Sequence, residues 1–316
     1  MHTEVIGADR GLRRVMRQVR RAAATDANVV VRGETGSGKE VVARAVHVRS
    51  NRSRGPFVVA NCAAVPFELM ESEFFGHVRG AFTGAIADHV GYFEAAADGT
   101  LLLDEIGDLH PRLQAKILRV VEDRSFRRVG SAQVVLNRAR LVAATNQPLE
   151  ELIERHCFRS DLFYRLAVLT IEVPPLRRHL VDVPDLVRHF TVSAARRLGR
   201  VPPMIAPDAM ARLCAYDWPG NVRELRSVIE RLIVCDAEVI EGRHVDASLA
   251  TKVRASADRP VLTLQEAERN AIARALEHYG GNRTRAAAAL EIGRRTLQMK
   301  IREYGLDGDA SAGESS

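Results

Sequence analysis

The chain has 316 residues, 46% hydrophobic and 27% charged, with a formal net charge of +6 and a pI near 9.4. No apolar run approaches the ~20 residues that span a bilayer, and Met1 to Gly7 lack a basic-then-apolar signal pattern, so a cytoplasmic protein without membrane contact is expected. The basic balance favours polyanionic partners, and Cys62, Cys157, Cys214 and Cys235 lie too far apart for a zinc knuckle or redox pair, reading as reduced core residues.

In chain order, a helical, Arg-rich stretch leads into an apolar run at Asn28 to Val31, a glycine-rich loop at 33–38 and a helical pattern from Lys39 to Val48. Further strand candidates are Phe57–Ala60, Thr100–Leu103, Arg140–Ala144 and Leu169–Val173, with helical patterns between them, notably Pro111 to Asp123. Short apolar strands alternating with helices imply an α/β fold, a mostly parallel sheet covered by helices on both faces. Past Pro174-Pro175 the pattern is helical to Val234, which reads as a small all-helical domain. Residues 247–262 suit a linker, 263–306 are helical again, and 307–316 read as a disordered tail. The expected division is thus 1–174, 175–246, a linker, 263–306 and the tail.

Gly33, Glu34, Thr35, Gly36, Ser37, Gly38 and Lys39 fit the phosphate-binding pattern GxxxxGK between strand and helix. Backbone N–H groups curl around phosphates there, the helix N-terminus adds positive potential, and Lys39 reaches the β- and γ-phosphates of ATP. Glu40 replaces the usual Ser or Thr, so the hydroxyl ligand for Mg²⁺ is missing and Glu40 is a candidate to contact the metal. About sixty residues on, Leu101 to Leu103 run into Asp104 and Glu105. That places two carboxylates at the C-terminal edge of the sheet, Asp104 to hold Mg²⁺ and Glu105 to polarise the attacking water.

These residues, with Gly80, Ala81, Phe82, Thr83, Gly84 and Ala85 in the order GAFTGA, give a chain that resembles bacterial enhancer-binding proteins, the activators of sigma-54 RNA polymerase. The resemblance runs from Ile6-Gly7 to about Leu306. It implies an AAA+ ATPase of the P-loop class with a helical lid, whose GAFTGA loop contacts sigma-54 and moves with the ATP cycle. The alternative is that Phe82 packs inward to close a hairpin. Residue by residue, Asn61 matches the side chain that hydrogen-bonds the catalytic glutamate and switches it between poses, or else it caps a turn. Asn146 matches the γ-phosphate sensor. Arg159 and Arg165 match the arginine fingers that complete a neighbour's site, which requires a ring. In this family that is usually a hexamer, with a dimer as the inactive form. Six positions apart on a helix is about 600°, so the two point in different directions; the alternative is pairing with Asp161 or a nearby acid. Arg223, in Trp218 to Leu225, matches the second sensor, or a domain-interface salt bridge, with Asn221 free to cap the helix that follows Pro219-Gly220. Ile6 and Gly7 match the segment lining the adenine pocket. Cys157 and the run Arg177 to Asp182 depart from the family pattern.

At the C-terminal end, a helix to His278, a turn, a helix capped by Asn282, a turn at Glu291 to Gly293 and a helix from Arg294 to Glu303 form a helix-turn-helix. It resembles the Fis-type domain of the same family and implies binding of double-stranded upstream DNA. Residues 282–302 hold six basic side chains and one acid. Arg283, Thr284, Arg294, Arg295, Thr296, Gln298 and Lys300 are the candidates to meet bases or phosphates. Leu290, Ile292, Leu297 and Ile301 have core spacing. A basic hairpin used for dimerisation is the alternative.

The resemblance implies a sigma-54-dependent activator. A replication initiator or loader also joins these modules, and a repressor could use nucleotide only as a ligand; the hexapeptide argues against the first and the Asp104-Glu105 pair against the second. The ATPase pattern opens almost at Met1, leaving no room for a receiver or ligand-sensing domain before it. Control is then expected from a separate protein or from a segment this chain does not carry.

Overall fold

The computed structural model describes residues 5–235, 237–257, 264–279, 282–290 and 292–306. It divides into two units, residues 1–248 and 249–316. In the first, helix α1 (Arg13–Ala23) precedes strand β1 (Val29–Arg32) and α2 (Lys39–Val48). Strand β2 (Phe57–Asn61), α3 (Phe67–Phe75), α4 (Tyr92–Ala95), β3 (Thr100–Asp104) and α5 (Pro111–Asp123) follow. Then come β4 (Ser125–Arg127), β5 (Val134–Leu136), β6 (Arg140–Thr145), α6 (Leu149–Glu154), α7 (Ser160–Leu166) and β7 (Leu169–Glu172).

The five apolar strands form one parallel sheet in the order β2-β3-β6-β1-β7. The three central strands β3, β6 and β1 are short, apolar and buried on both faces, the edge strands β2 and β7 only partly so, and successive side chains serve opposite layers. Val30, Leu101, Leu103, Leu141 and Ala143 face the core under α3, α5 and α7. Val29, Val31, Leu102, Val142 and Ala144 face the core under α1 and α2. Helix α1 belongs to that second layer because Val15, Met16, Val19, Ala22 and Ala23 recur at helical spacing and are all buried.

The antiparallel hairpin β4–β5 stands outside the sheet. The lid consists of α8 (Val183–Arg197), β8 (Met204–Ile205), α9 (Pro207–Ala215), α10 (Asn221–Val234) and β9 (Val239–Ile240), the two short strands pairing in parallel. The single tryptophan, Trp218, is fully buried there and donates Nε1–H to the Leu213 carbonyl at 2.9 Å. The linker expected at 247–262 is in its first part helix: α11 runs from Gly242 to Ala257, since Ala, Leu, Lys and Arg there favour helix despite weak apolar patterning. Residues 258–262 and the tail 307–316 lie outside the described residues.

The second unit holds α12 (Leu264–His278), α13 (Arg283–Ala289) and α14 (Arg294–Glu303). They pack on Ile272, Ala286, Ala287, Leu297 and Ile301, with Leu290 and Ile292 against them. Among the described residues no helix is long and apolar enough to cross a membrane.

Of the cysteines, only Cys62 is a core residue; Cys157 and Cys235 are exposed and Cys214 is partly so. Cys157 lies in the loop between α6 and α7, Cys214 in the last turn of α9 and Cys235 at the C-terminal cap of α10.

Candidate nucleotide site and contact loop

Four C-terminal strand ends converge. The phosphate loop follows β1, Asn61 ends β2 beside Asp104 of β3, and Asn146 follows β6. Gly36 and Gly38 take φ of 77° and 96°, which the loop's turn requires and a side chain would strain. A Cβ on Gly36 would also meet the Gly220 carbonyl at 2.5 Å. Lys39 is buried. Its Nζ donates to the Gly33 carbonyl at 3.1 Å and lies 3.5 Å from Glu105 Oε1. Glu105 itself sits at φ 51°, a left-handed conformation costly for a glutamate. Its Oε2 accepts from the Asn146 backbone N–H at 3.3 Å, and Asn146 Nδ2 donates to Thr35 Oγ1 at 2.8 Å. Lys39, Glu105, Asn146 and Thr35 therefore form one connected polar set around the loop. The Ser37 hydroxyl is buried there with no protein partner.

Asp104 has its carboxyl raised above the usual range, first by burial and then by the neighbouring Glu105, with Glu40 adding to the repulsion. A divalent cation would relieve this. Among the described residues no three His, Cys, Asp or Glu side chains converge. Mg²⁺ takes one or two carboxylates and leaves its other positions to phosphate and water, and Asp104 is the carboxylate that would hold it. Glu40 was expected as a metal contact, but it pairs with Arg44 one turn along α2 at 3.2 Å and is largely exposed. In this arrangement its charge reaches Asp104 through space.

Several other side chains are placed differently from expectation. Asn61 does not touch Glu105: its Oδ1 accepts from the Ala63 and Ala64 N–H groups at 3.0 and 3.2 Å, closing a turn. Arg159 lies just before α7, not on it, and forms a two-point pair with Asp161 at 3.0 and 2.7 Å, which holds the Asp161 carboxyl low. Arg165, at the end of α7, pairs with Glu122 at 3.2 Å. Both arginines thus rest on acids of their own chain, at the surface.

Ile6 and Gly7 line a cleft of about 1090 Å³ against α8, together with Arg10, Arg188 and Arg197. The buried Asp182 fixes this segment. It accepts from Gly11 N–H at 3.2 Å, pairs with His179 at 3.0 Å, and sits where any Cβ on Gly7 would be, at 2.2 Å.

Two contacts to the lid were not foreseen. Glu34 receives a two-point pair from Arg177, at 2.8 and 2.6 Å, and a bond from Asn221 Nδ2 at 3.1 Å. Together these pull its carboxyl down to about 2. Asn221 does not cap α10; Gly220 holds that position. Asn221 sits fully buried at φ 55°, accepts from Leu176 N–H at 2.8 Å and donates to the Thr35 carbonyl at 3.1 Å. Beside it, Arg223 N–H donates to the Gly36 carbonyl at 3.2 Å while its side chain is exposed. An Asn following Pro-Gly was a signal for a special backbone position, but its partners across 186 residues were not legible.

The hexapeptide Gly80–Ala85 forms a surface loop with Gly80 and Gly84 at φ 82° and 105°. Phe82 is 41% exposed and packs edge-on against His77 at 4.9 Å, neither free nor buried in the core. Thr83 is exposed, and Ile86, missed in the sequence, is 84% exposed. Ala81 touches Gly130 of the β4–β5 turn, so the loop base rests on that hairpin.

In the second unit, the Asn282 side chain caps α13 by accepting from Arg285 N–H at 3.1 Å. Arg283, Thr284, Arg294, Arg295 and Thr296 are exposed and Gln298 is half-buried. Lys300, expected at DNA, is turned inward: its Nζ lies 3.0 Å from Glu268 on α12, which holds the ammonium charged and the Glu268 carboxyl low.

Residues 5–172 match the sigma-54 interaction domain, 177–260 the AAA+ ATPase lid domain, and 263–304 the Fis-family bacterial regulatory protein domain. The transcriptional regulatory protein ZraR of Klebsiella oxytoca is 44% identical over 301 residues, covering 94% of this chain and 68% of that protein. The regulatory protein AtoC of Escherichia coli K12 is 41% identical, covering 93% and 66%, and the nitrogen fixation protein AnfA of Azotobacter vinelandii 41%, covering 96% and 58%. Crystal structures of NtrX from Brucella abortus with ADP and with ATP superpose with TM-scores of 0.72 and 0.71 at 35% identity. Both cover 96% of this chain, and 70% and 69% of the NtrX chain.

Proposed function

The chain belongs to the sigma-54 interaction family of transcriptional activators, with an AAA+ P-loop module and a Fis-type DNA-binding domain, and from that premise we propose that it hydrolyses ATP at sites shared between copies in a ring, hexameric when active, to drive the Phe82 loop against sigma-54. The observation that carries this is the continuous polar set Lys39–Glu105–Asn146–Thr35 at the sheet edge, in the same unit as an exposed GAFTGA loop.

The chemistry follows from those residues. Lys39, already fixed on Gly33, is positioned to meet the β- and γ-phosphates as a point charge. Glu105 is occupied by Lys39 in this structure; with that charge drawn to phosphate, its carboxylate is released to orient and polarise the attacking water. Asn146 bonds both the Glu105 carboxylate, through its N–H, and the loop, through Thr35, so loss of the terminal phosphate is registered at both. Asn61, the register partner of Asp104 on the neighbouring strand, supplies a second resting place for Glu105 if its turn opens. Asp104 would hold Mg²⁺, which when bound neutralises charge on the phosphate oxygens. Arg159 and Arg165 exchange Asp161 and Glu122 for the phosphates of a neighbouring copy. Arg223 approaches the nucleotide from the lid, and the cleft at Ile6 and Gly7 takes the adenine.

The test is Glu105→Gln in the full chain. It retains ATP affinity and loses hydrolysis by roughly a hundredfold or more, the size of a general-base contribution. Turnover near the wild-type rate would remove Glu105 from the mechanism.

A further inference from the structure

Helix α1 carries Arg13, Arg14, Arg17, Arg20 and Arg21 and no acid. At about 100° per residue these five fall within an arc of roughly 120°, opposite the buried face of Val15, Met16, Val19, Ala22 and Ala23. All five are exposed, and among the described residues none of their side chains has an ion-pair or hydrogen-bond partner. Other arginines of the same unit are in part engaged, as Arg52 with Asp26, Arg128 with Glu94 and Arg177 with Glu34, but α1 alone gathers five unengaged ones on one helix face. Like charges at 13/17, 14/17, 17/20 and 17/21 oppose the helix, which stands because its other face is buried.

From this we infer that the basic face of α1 is a second DNA-binding surface, one that meets the phosphate backbone without reading bases. The distribution of charge supports it. Helix α1 carries +5, residues 282–302 carry +5, and the whole chain only +6, so the remainder is net acidic. The chain's basicity is thus concentrated in its DNA reader and in this one helix. The shape of the face agrees. From Arg13 to Arg21 it spans about 12 Å, the length of some three or four phosphates on one strand. Guanidinium forks match phosphate oxygens in two-point fashion. No other side chain falls within the arc, the half-buried Gln18 lying at its edge, so the face lacks the apolar centre that a protein interface needs. DNA held by the Fis-type domain is a polyanion already tethered to the assembly, which raises its effective concentration at any second surface.

The experiment compares the full chain with Arg13→Gln/Arg17→Gln/Arg20→Gln and with the charge-preserving Arg13→Lys/Arg17→Lys/Arg20→Lys. Binding of a labelled random-sequence duplex is followed by anisotropy over a salt series. The Gln variant makes the slope of log affinity against log salt shallower by about 2 to 3, near 0.9 for each lost phosphate contact, while the Lys variant keeps the wild-type slope. Basal ATPase activity and Trp218 fluorescence stay unchanged, showing that the fold is intact. Equal slopes for wild type and the Gln variant overturn the inference. So does an unchanged DNA slope accompanied by lost binding of a labelled polyglutamate peptide, which would assign the face to an acidic protein.

Discussion

Replacing Asn221 by alanine separates a bridging role from a capping role. Its side chain satisfies the buried Leu176 N–H, and it also holds Glu34 and the Thr35 carbonyl. Leu176 is fully buried, so its orphaned N–H costs about 1–3 kcal/mol. Glu34 and Thr35 are partly or largely exposed, and water replaces their lost bonds at little cost. The backbone adds a second cost, because at φ 55° alanine is strained by about 1 kcal/mol where glycine is not. Asn221→Ala is therefore expected to lose roughly 2–4 kcal/mol, and Asn221→Gly about 1 kcal/mol less. For a unit of this size the alanine loss lowers Tm by roughly 5–15 °C. Trp218, the only tryptophan and three residues away, reports the transition by fluorescence. Both variants also weaken ATP binding, since the loop loses its hold on the lid. Melting of both within about 1 °C of wild type would refute the reasoning.

Thr83→Ala is expected to keep basal ATPase activity and lose open-complex formation with sigma-54 polymerase, scored by promoter melting; retained melting would count against the loop. Asp104→Asn should raise the unfolding midpoint of the nucleotide-free chain while abolishing Mg²⁺-dependent hydrolysis. Its folded-state carboxyl is raised, so its charge disfavours the fold at neutral pH and the penalty disappears as pH falls through the raised value; an unchanged or lower midpoint by calorimetry would argue against it. Glu34 has the opposite sign. Its carboxyl is lowered from 4.5 to about 2, so the stability it contributes is present above pH ~4.5 and is lost between there and pH ~2. With the pair partly exposed, solvent screening limits this to about 1 kcal/mol. Glu34→Gln should flatten acid unfolding in that window and leave neutral pH nearly unaffected by pH change.

The strands were legible because each is a short apolar run bounded by turn residues, with Leu101 to Leu103 and Val29 to Val31 buried on both faces. The β4–β5 hairpin was not, since Val134 and Leu136 are exposed and arginines surround them. In the site, residue type and spacing sufficed where backbone geometry sets the position, as at Lys39, Asp104 and Glu105. They did not tell which partner a long or adaptable side chain takes within a single chain. Glu40 takes Arg44, Lys300 takes Glu268, Asn61 takes its own turn, and the two arginines take local acids. Those choices depend on charges brought close only by the folded chain. Asn221 and Arg177 were missed for the same reason, since their partners in the phosphate loop lie more than 140 residues away.

Composite sites are tested most directly by mixing two inactive chains, Glu105→Gln and Arg165→Ala, in equal amounts and measuring phosphate release and sigma-54-dependent promoter melting. A site built from one copy's Glu105 and its neighbour's Arg165 is intact at about a quarter of the interfaces in random rings, so ATPase activity returns to about a quarter of wild type. Activity no greater than that of either variant alone would contradict hydrolysis at sites shared between copies.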